Sequence, residues 1–239
     1  RGALIPSFRR TRPRDAALGP SRARYRVMRL LLHAVLATAL ALPAAAQPIA
    51  FDGAWREQGF LRLRSNDYAQ GGGTLQIVSD GTVSLLWRAV PDALRGATRA
   101  AWGWAVAEGV PATDLRRKGG DDRNLAVYFA WTDAETAARA DPSNATRLLR
   151  GANTRVLVYV WGDDDARGTI QASPYLPGLR TVILRPAGTG QHVERVDLAG
   201  DFRRAFGAEP GVLVGIGISA DSDDTGGRIR ASITAPELR

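Results

Sequence analysis

The chain has 239 residues, a formal net charge of +8 and no cysteine, which excludes disulfides, zinc–thiolate centres and thiol catalysis. Its basic surplus lies in the first 46 residues, which hold nine of the 32 basic residues and one of the 24 acids. The remainder is neutral and lacks the electrostatic footprint of a nucleic-acid-binding domain, so no nucleic-acid partner is expected.

Residues 1–27 carry eight arginines against Asp15 alone and show no apolar periodicity. They read as translated upstream sequence or as a disordered basic arm. From Met28 and Arg29 an apolar run extends over Leu30–Leu42 and ends in Pro43, Ala44, Ala45 and Ala46. A basic start, a short apolar core and a small-residue exit make residues 28–46 a signal peptide with cleavage after Ala46. The core is shorter than a membrane span, so a periplasmic or secreted product without a transmembrane anchor is expected. Residues 47–239 then form a single domain large enough to bury a core unaided. His192 is the only histidine in that stretch, which removes two-histidine metal sites and argues against a Ser-His-Asp triad.

Short alternating runs punctuated by Gly, Pro, Asp and Asn predict strands at 60–64, 74–79, 82–90, 99–107, 124–132, 154–161, 179–185, 192–198, 212–220 and 228–235. The last is the clearest: Ile229, Ala231 and Ile233 alternate with Arg228, Arg230, Ser232 and Thr234. Asp80-Gly81 has the composition of a tight hairpin. Thr132-Asp-Ala-Glu135 reads as a capping box opening an Ala-rich helix that Pro142 breaks. A short helix is expected from Asn144 to Arg150, and a two-turn helix near Asp201–Phe206 that stops at Gly207. The fold class is therefore all-β: a two-sheet antiparallel sandwich of jelly-roll type with one or two short helical insertions.

Trp102 and Trp104 share one face of a strand, either as a large core contribution or as stacking surfaces for a flat ligand. Trp161 ends an apolar strand, where core edge and pocket wall are both open to it. Acidic clusters fall at three strand ends: Asp121-Asp122, Asp163-Asp-Asp165, and Asp221-Ser-Asp223-Asp-Thr225-Gly226. The last begins like a calcium loop, which makes Asp221, Asp223 and Thr225 the candidate ligands of a structural calcium ion. Ser232 stands where an EF-hand needs glutamate, so an EF-hand is excluded. The alternative is that Asp and Gly simply make these turns. Asp122 paired with another strand-end acid would suit glycoside cleavage. Gly215-Ile-Gly217-Ile-Ser-Ala220 loosely matches a dinucleotide fingerprint, but it lies within a strand and reads as close sheet packing; no nucleotide or flavin cofactor is expected.

Several words of the chain occur in a fixed order: Trp102-Gly-Trp104, Lys118-Gly-Gly-Asp121-Asp122, Ala126-Val-Tyr-Phe129 and Val158-Tyr-Val-Trp161-Gly162. Ser173-Pro-Tyr175, Asp201-Phe-Arg-Arg-Ala-Phe206-Gly207 and Asp221-Ser-Asp223-Asp-Thr225-Gly226 follow. Over roughly residues 55–235 these resemble the uncharacterised bacterial family known as domain of unknown function 3047. The resemblance implies export and a β-rich fold and brings no catalytic residues. The Ala-rich insert at 133–150 looks longer than in that family and is assigned no functional residue. The W-x-W strand, Asp-Asp turn and late Asp-rich loop are also distantly similar to jelly-roll carbohydrate-binding modules, a likeness at the level of fold.

The leading expectation is a non-catalytic exported module that holds a saccharide or other cell-envelope ligand. Trp102, Trp104, Tyr128, Trp161 and Tyr175 would offer stacking surfaces, and Asp121, Asp122, Arg123 and Asp163 would bond hydroxyls. The alternatives are a glycoside hydrolase or lyase using paired aspartates, and an envelope protein–protein interaction domain with a protein partner.

Overall fold

The computed structural model describes residues 46–139, 141 and 143–239. The expected signal segment, apart from Ala46, and the basic stretch before it lie outside the described residues. In chain order the strands are β1 (Gln47–Pro48), β2 (Arg56–Gly59), β3 (Asp67–Gln70), β4 (Thr74–Asp80), β5 (Val83–Ala89), β6 (Arg99–Glu108) and β7 (Arg123–Thr132). They continue as β8 (Arg155–Trp161), β9 (Ile170–Ala172), β10 (Leu179–Arg185), β11 (Gly190–Asp197), β12 (Val212–Asp221), β13 (Arg228–Thr234) and β14 (Glu237–Leu238). Three helices are interposed: α1 (Ala134–Arg139), α2 (Ala145–Leu149) and α3 (Leu198–Phe206).

Two sheets of seven strands form a jelly-roll-type sandwich. The first runs β1-β14-β6-β13-β4-β3, with β11 also paired to β6; the second runs β2-β5-β12-β7-β8-β10-β9. Pairing is antiparallel except between β8 and β10, which are parallel, so the second sheet is mixed where antiparallel order was expected. The intervening residues, including β9, provide the longer connection that a parallel pair requires.

Side-chain alternation shows why the two sheets differ. On β13, Ile229, Ala231 and Ile233 are buried while Arg228, Arg230 and Thr234 are exposed, the pattern of a strand with one wet face. On β7 and β12 nearly every residue is buried, because the second sheet is covered on both sides. Its inner face carries Leu125, Val127, Phe129, Tyr159, Ile216 and Ile218 into the core between the sheets. Its outer face carries Leu85, Trp87, Ala126, Tyr128 and Val158 into a second apolar cluster, closed by Leu115 and by Ala145 and Leu148 of α2.

Four local expectations change. Asp80-Gly81 is not a hairpin turn: β4 pairs with β3 and β13 in the first sheet and β5 with β2 and β12 in the second, so the turn carries the chain from one sheet to the other. Gly81, at φ +60°, supplies the left-handed conformation that this corner requires. No strand forms at 60–64; β2 ends at Gly59, and Arg62 adopts φ +69°, which breaks an extended run. Asp133, not Thr132, caps α1, its side chain accepting from the Thr136 amide at 2.7 Å, because Thr132 is still paired to Val212 in the sheet. α2 opens after its N-cap Asn144 and α3 stops at left-handed Gly207, as expected, but α3 begins at Leu198 with Asp197 as its N-cap, ahead of the helix expected near Asp201–Phe206 and at the end of the strand expected over 192–198.

Candidate functional cleft

The outer face of the second sheet is shallow at its centre because β12 places small residues there. A Cβ on Gly217 would lie 2.8 Å from Leu85 Cδ1 and 2.9 Å from Trp87 Cε3, and one on Gly215 would run into the Trp87 indole. The Gly-Ile-Gly word is thus a packing device that lets Trp87 cross over β12. Further along the strand, the register against β7 shifts between Ser219 and Asp221, which sets Arg123 opposite Asp221. This bulge turns Arg123 toward the same outer face as Tyr128.

A polar cluster results. Arg123 Nη1 lies 2.9 Å from Asp221 Oδ2 and 3.6 Å from Asp121 Oδ2, while Nη2 donates to Tyr128 Oη at 2.6 Å. Burial works against the guanidinium charge, but Tyr128, Asp221 and Asp121 more than restore it. Asp122 is fully buried, and its two carboxylate oxygens accept from the Asp224 amide at 3.2 Å and the Thr225 amide at 2.8 Å. Asp221 is 4 % exposed, and among the described residues its Oδ1 has no donor. Burial pushes its carboxyl well above the usual range, Arg123 opposing and neighbouring Asp223 and Asp121 reinforcing the shift. Asp224 is raised in the same direction, by burial first and then by Asp223, Asp122 and Asp121. Asp122, Asp221 and Asp223 each present a carboxylate oxygen within 4.8 Å of the other two.

Arg123, Asp121, Asp221, Asp223 and Asp224 line one part of a cleft of about 410 Å³. Its other walls carry the apolar or aromatic side chains of Phe60, Leu63, Leu115, Leu149, Tyr175 and Leu176, with the polar Gln58, Thr146, Arg150, Ser173 and Thr181 among them. Phe60, Leu63 and Tyr175 are 43 %, 43 % and 49 % exposed, large side chains left open to solvent. Tyr175 is nonetheless fixed, since its hydroxyl donates to Asp121 Oδ1 at 2.8 Å and accepts from the Gly119 amide at 2.9 Å. That clasp joins the Ser173–Tyr175 loop to the Lys118–Asp122 turn. A neighbouring groove of about 440 Å³ shares Leu149, Arg150 and Leu176 with the cleft and adds Arg155 and Arg180. Among the described residues none of these three arginines forms an ion pair with a carboxylate.

Of the residues singled out from sequence, Asp121, Arg123, Tyr128 and Tyr175 line the cleft together with Asp221 and Asp223. Asp122 sits just behind them. Trp102, Trp104 and Trp161 do not join them: all three are at most 2 % exposed and pack in the core between the sheets, Trp104 standing 5.6 Å from each of the other two rings. No indole face is left for a ligand. Asp163 is buried elsewhere, accepting from the Asp165 amide and from Gln171 Nε2, and it organises its own loop. Thr225 Oγ1 accepts from the Gly227 amide at 3.2 Å, and Asp122 takes the place in the acidic group that sequence spacing gave to Thr225.

Phe60, Leu63, Thr146, Leu149 and Arg150 were not singled out, although they line the cleft. The first two sit in the segment read as a strand, where an exposed apolar pair was the available signal. The others belong to the insert that was assigned no role, and α2 in fact covers the sheet's outer face.

The chain belongs to the family described as protein of unknown function DUF3047, whose model matches residues 53–235. No curated protein matches the sequence. Among solved structures it is similar to the xyloglucanase domain of NopAA, a type three effector from Sinorhizobium fredii, solved with cellobiose: 7 % identity, 77 % of this chain and 92 % of that one, TM-score 0.44. The catalytic domain of Humicola grisea Cel12A, solved with a soaked thio cellotetraose, is 11 % identical over 82 % of this chain and 100 % of that one, TM-score 0.41. The family 11 xylanase from Neocallimastix patriciarum is 10 % identical over 82 % and 100 %, TM-score 0.37.

Proposed function

We propose that this DUF3047 member is an exported binding module whose cleft holds a saccharide, or a similarly hydroxyl-rich cell-envelope ligand, without cleaving it. The reading rests on one observation: exposed Phe60, Leu63 and Tyr175 share a cleft with the partly buried carboxylate–guanidinium cluster of Asp121, Arg123 and Asp221. Sugars present apolar C–H faces edged by hydroxyls. A wall of aromatic and aliphatic surface with a few fixed polar groups at one end suits both features. The cleft volume lies in the range of small-ligand sites.

Binding is favoured over cleavage because three of the five aspartates at this end of the cleft already serve other groups. Asp121 is held by Tyr175 and Arg123, Asp122 by two backbone amides and Asp221 by Arg123. Export rests on the signal-peptide character of residues 28–46, and a periplasmic or secreted location follows from it.

Thermal unfolding against a panel of oligosaccharides tests the reading. The panel includes uronate-containing members because Arg150, Arg155 and Arg180 line the adjoining groove. A ligand at 100 times its dissociation constant adds about 2.7 kcal/mol, a shift of several degrees for a domain of this size. A shift without release of new reducing ends is the expected result. Release of reducing ends would replace the binding reading with hydrolysis, and no shift with any member would remove the saccharide.

A further inference from the structure

We infer that Asp122, Asp221 and Asp223 form a divalent-cation site at the acidic end of the cleft, with an ion of calcium's chemistry as the occupant. Two strand ends build it. Asp122 comes from the turn entering β7, and Asp221 and Asp223 from the end of β12 and the loop beyond. Each contributes a carboxylate oxygen, and the three lie within 4.8 Å of one another. Oxygens at 2.3–2.6 Å from a shared calcium ion are separated by at most about 5 Å, a limit that all three pairs meet.

The acidic grouping alone would not make a site, since Asp-rich turns are common. The second observation is Asp221 Oδ1: the residue is 4 % exposed, and this oxygen has no donor among the described residues. A buried carboxylate oxygen without a partner carries a desolvation cost that a cation removes. Charge balance points the same way. Arg123 supplies the ion pairs of both Asp121 and Asp221, and among the described residues Asp122, Asp223 and Asp224 have none. Five aspartates thus share one guanidinium at this end of the cleft, and two of them, Asp122 and Asp221, are buried. Buried charges are paired or coordinate metals.

The ligand set is all oxygen, which suits a hard cation and not a thiophilic one. Three carboxylates leave several of calcium's six to eight positions to water or to other oxygens. Asp221 and Asp223 both line the cleft, so those positions open toward it. An ion there accepts hydroxyl oxygens from a cleft ligand, a consequence that rests on the binding reading above; the cation site itself does not.

Calorimetric titration of the metal-stripped full chain with calcium chloride, and separately with magnesium chloride, tests the site. The wild type is expected to bind one calcium per chain and to unfold at higher temperature with calcium than with chelator. Asp223→Asn is the informative variant, because among the described residues the Asp223 side chain bonds no backbone group, whereas Asp122 holds two amides of the loop. It should keep the wild-type unfolding temperature in chelator and bind calcium at least tenfold more weakly. Asp164→Asn, in the exposed part of another acidic cluster, should bind calcium as the wild type does. Absence of binding and of any thermal shift with millimolar calcium or magnesium would overturn the site, as would undiminished binding by Asp223→Asn. Either failure leaves the saccharide reading standing if the oligosaccharide panel, run in chelator as well, still shifts the unfolding temperature.

Discussion

Arg123 and Asp221 meet across the β7–β12 bulge with Nη1 2.9 Å from Oδ2, in a setting where the side chains are 12 % and 5 % exposed. A pair this deeply placed resists loss of one partner more than loss of both, since one partner alone is a buried charge without compensation. Arg123→Met is expected to cost about 3 kcal/mol of unfolding free energy. Arg123→Met with Asp221→Asn should cost less than the sum of the single changes by more than about 1 kcal/mol. Urea denaturation of the four proteins measures the coupling, and strict additivity would show that the pair is not a unit.

The two indoles of the W-x-W strand separate in a different way. Trp104 Nε1 donates to Glu194 Oε1 at 3.3 Å, whereas Trp102 Nε1 is buried and finds no acceptor among the described residues. Trp104→Phe therefore loses packing and a bond to a buried carboxylate, and Trp102→Phe loses packing while removing an orphaned donor. Trp104→Phe should be the more destabilising by about 1 kcal/mol in chemical denaturation.

Gly215→Ala places a methyl against the Trp87 ring, where a Cβ would stand 2.8 Å even from the more distant Cε2. Overpacking of this kind costs about 1–3 kcal/mol or more. Shortening the partner, as in Gly215→Ala with Trp87→Leu, should recover part of the loss. Equal destabilisation by the single and double variants would place the cost in the glycine backbone and not in the contact.

Two phenols should ionise only when the protein unfolds. Tyr159 is fully buried and donates to Asp201 Oδ2 at 2.8 Å; burial, and then Asp201, push it well above its ordinary value of 10.0. Burial of the hydroxyl likewise raises Tyr68 above 10.0, although the bonds that Ser84 Oγ and Asn66 Nδ2 donate to it oppose the shift. The neutral phenol is the favoured folded form. Its contribution is complete below the unfolded value and declines as pH rises beyond it, because the unfolded chain releases its proton first. Absorbance titration should leave these two of the five tyrosines silent near pH 10 and reveal them in denaturant.

Most of the sandwich was legible because half-wet strands such as β13 alternate and because Asn144 and Gly207 mark helix ends. Sheet membership was not legible. Asp80-Gly81 makes a tight turn in either setting, and only the partners of β4 and β5 reveal a corner. Period-two spacing puts Trp102 and Trp104 on one face but does not say whether that face meets the core or the solvent. The β7–β12 bulge has no composition signal, so Arg123, Tyr128 and Asp221 could be named as separate candidates but not as neighbours. The short β1, β3, β9 and β14 are too brief to show periodicity.

The most direct test of the cleft is ligand titration of three proteins, using whichever oligosaccharide stabilises the wild type. Tyr175→Ala and Phe60→Ala alter exposed cleft walls, and Trp102→Phe alters the core. The cleft variants should bind at least tenfold more weakly with near-wild-type unfolding temperatures, while Trp102→Phe lowers stability and keeps its affinity. Full affinity in both cleft variants would contradict the assignment of the outer face of the second sheet as the binding site.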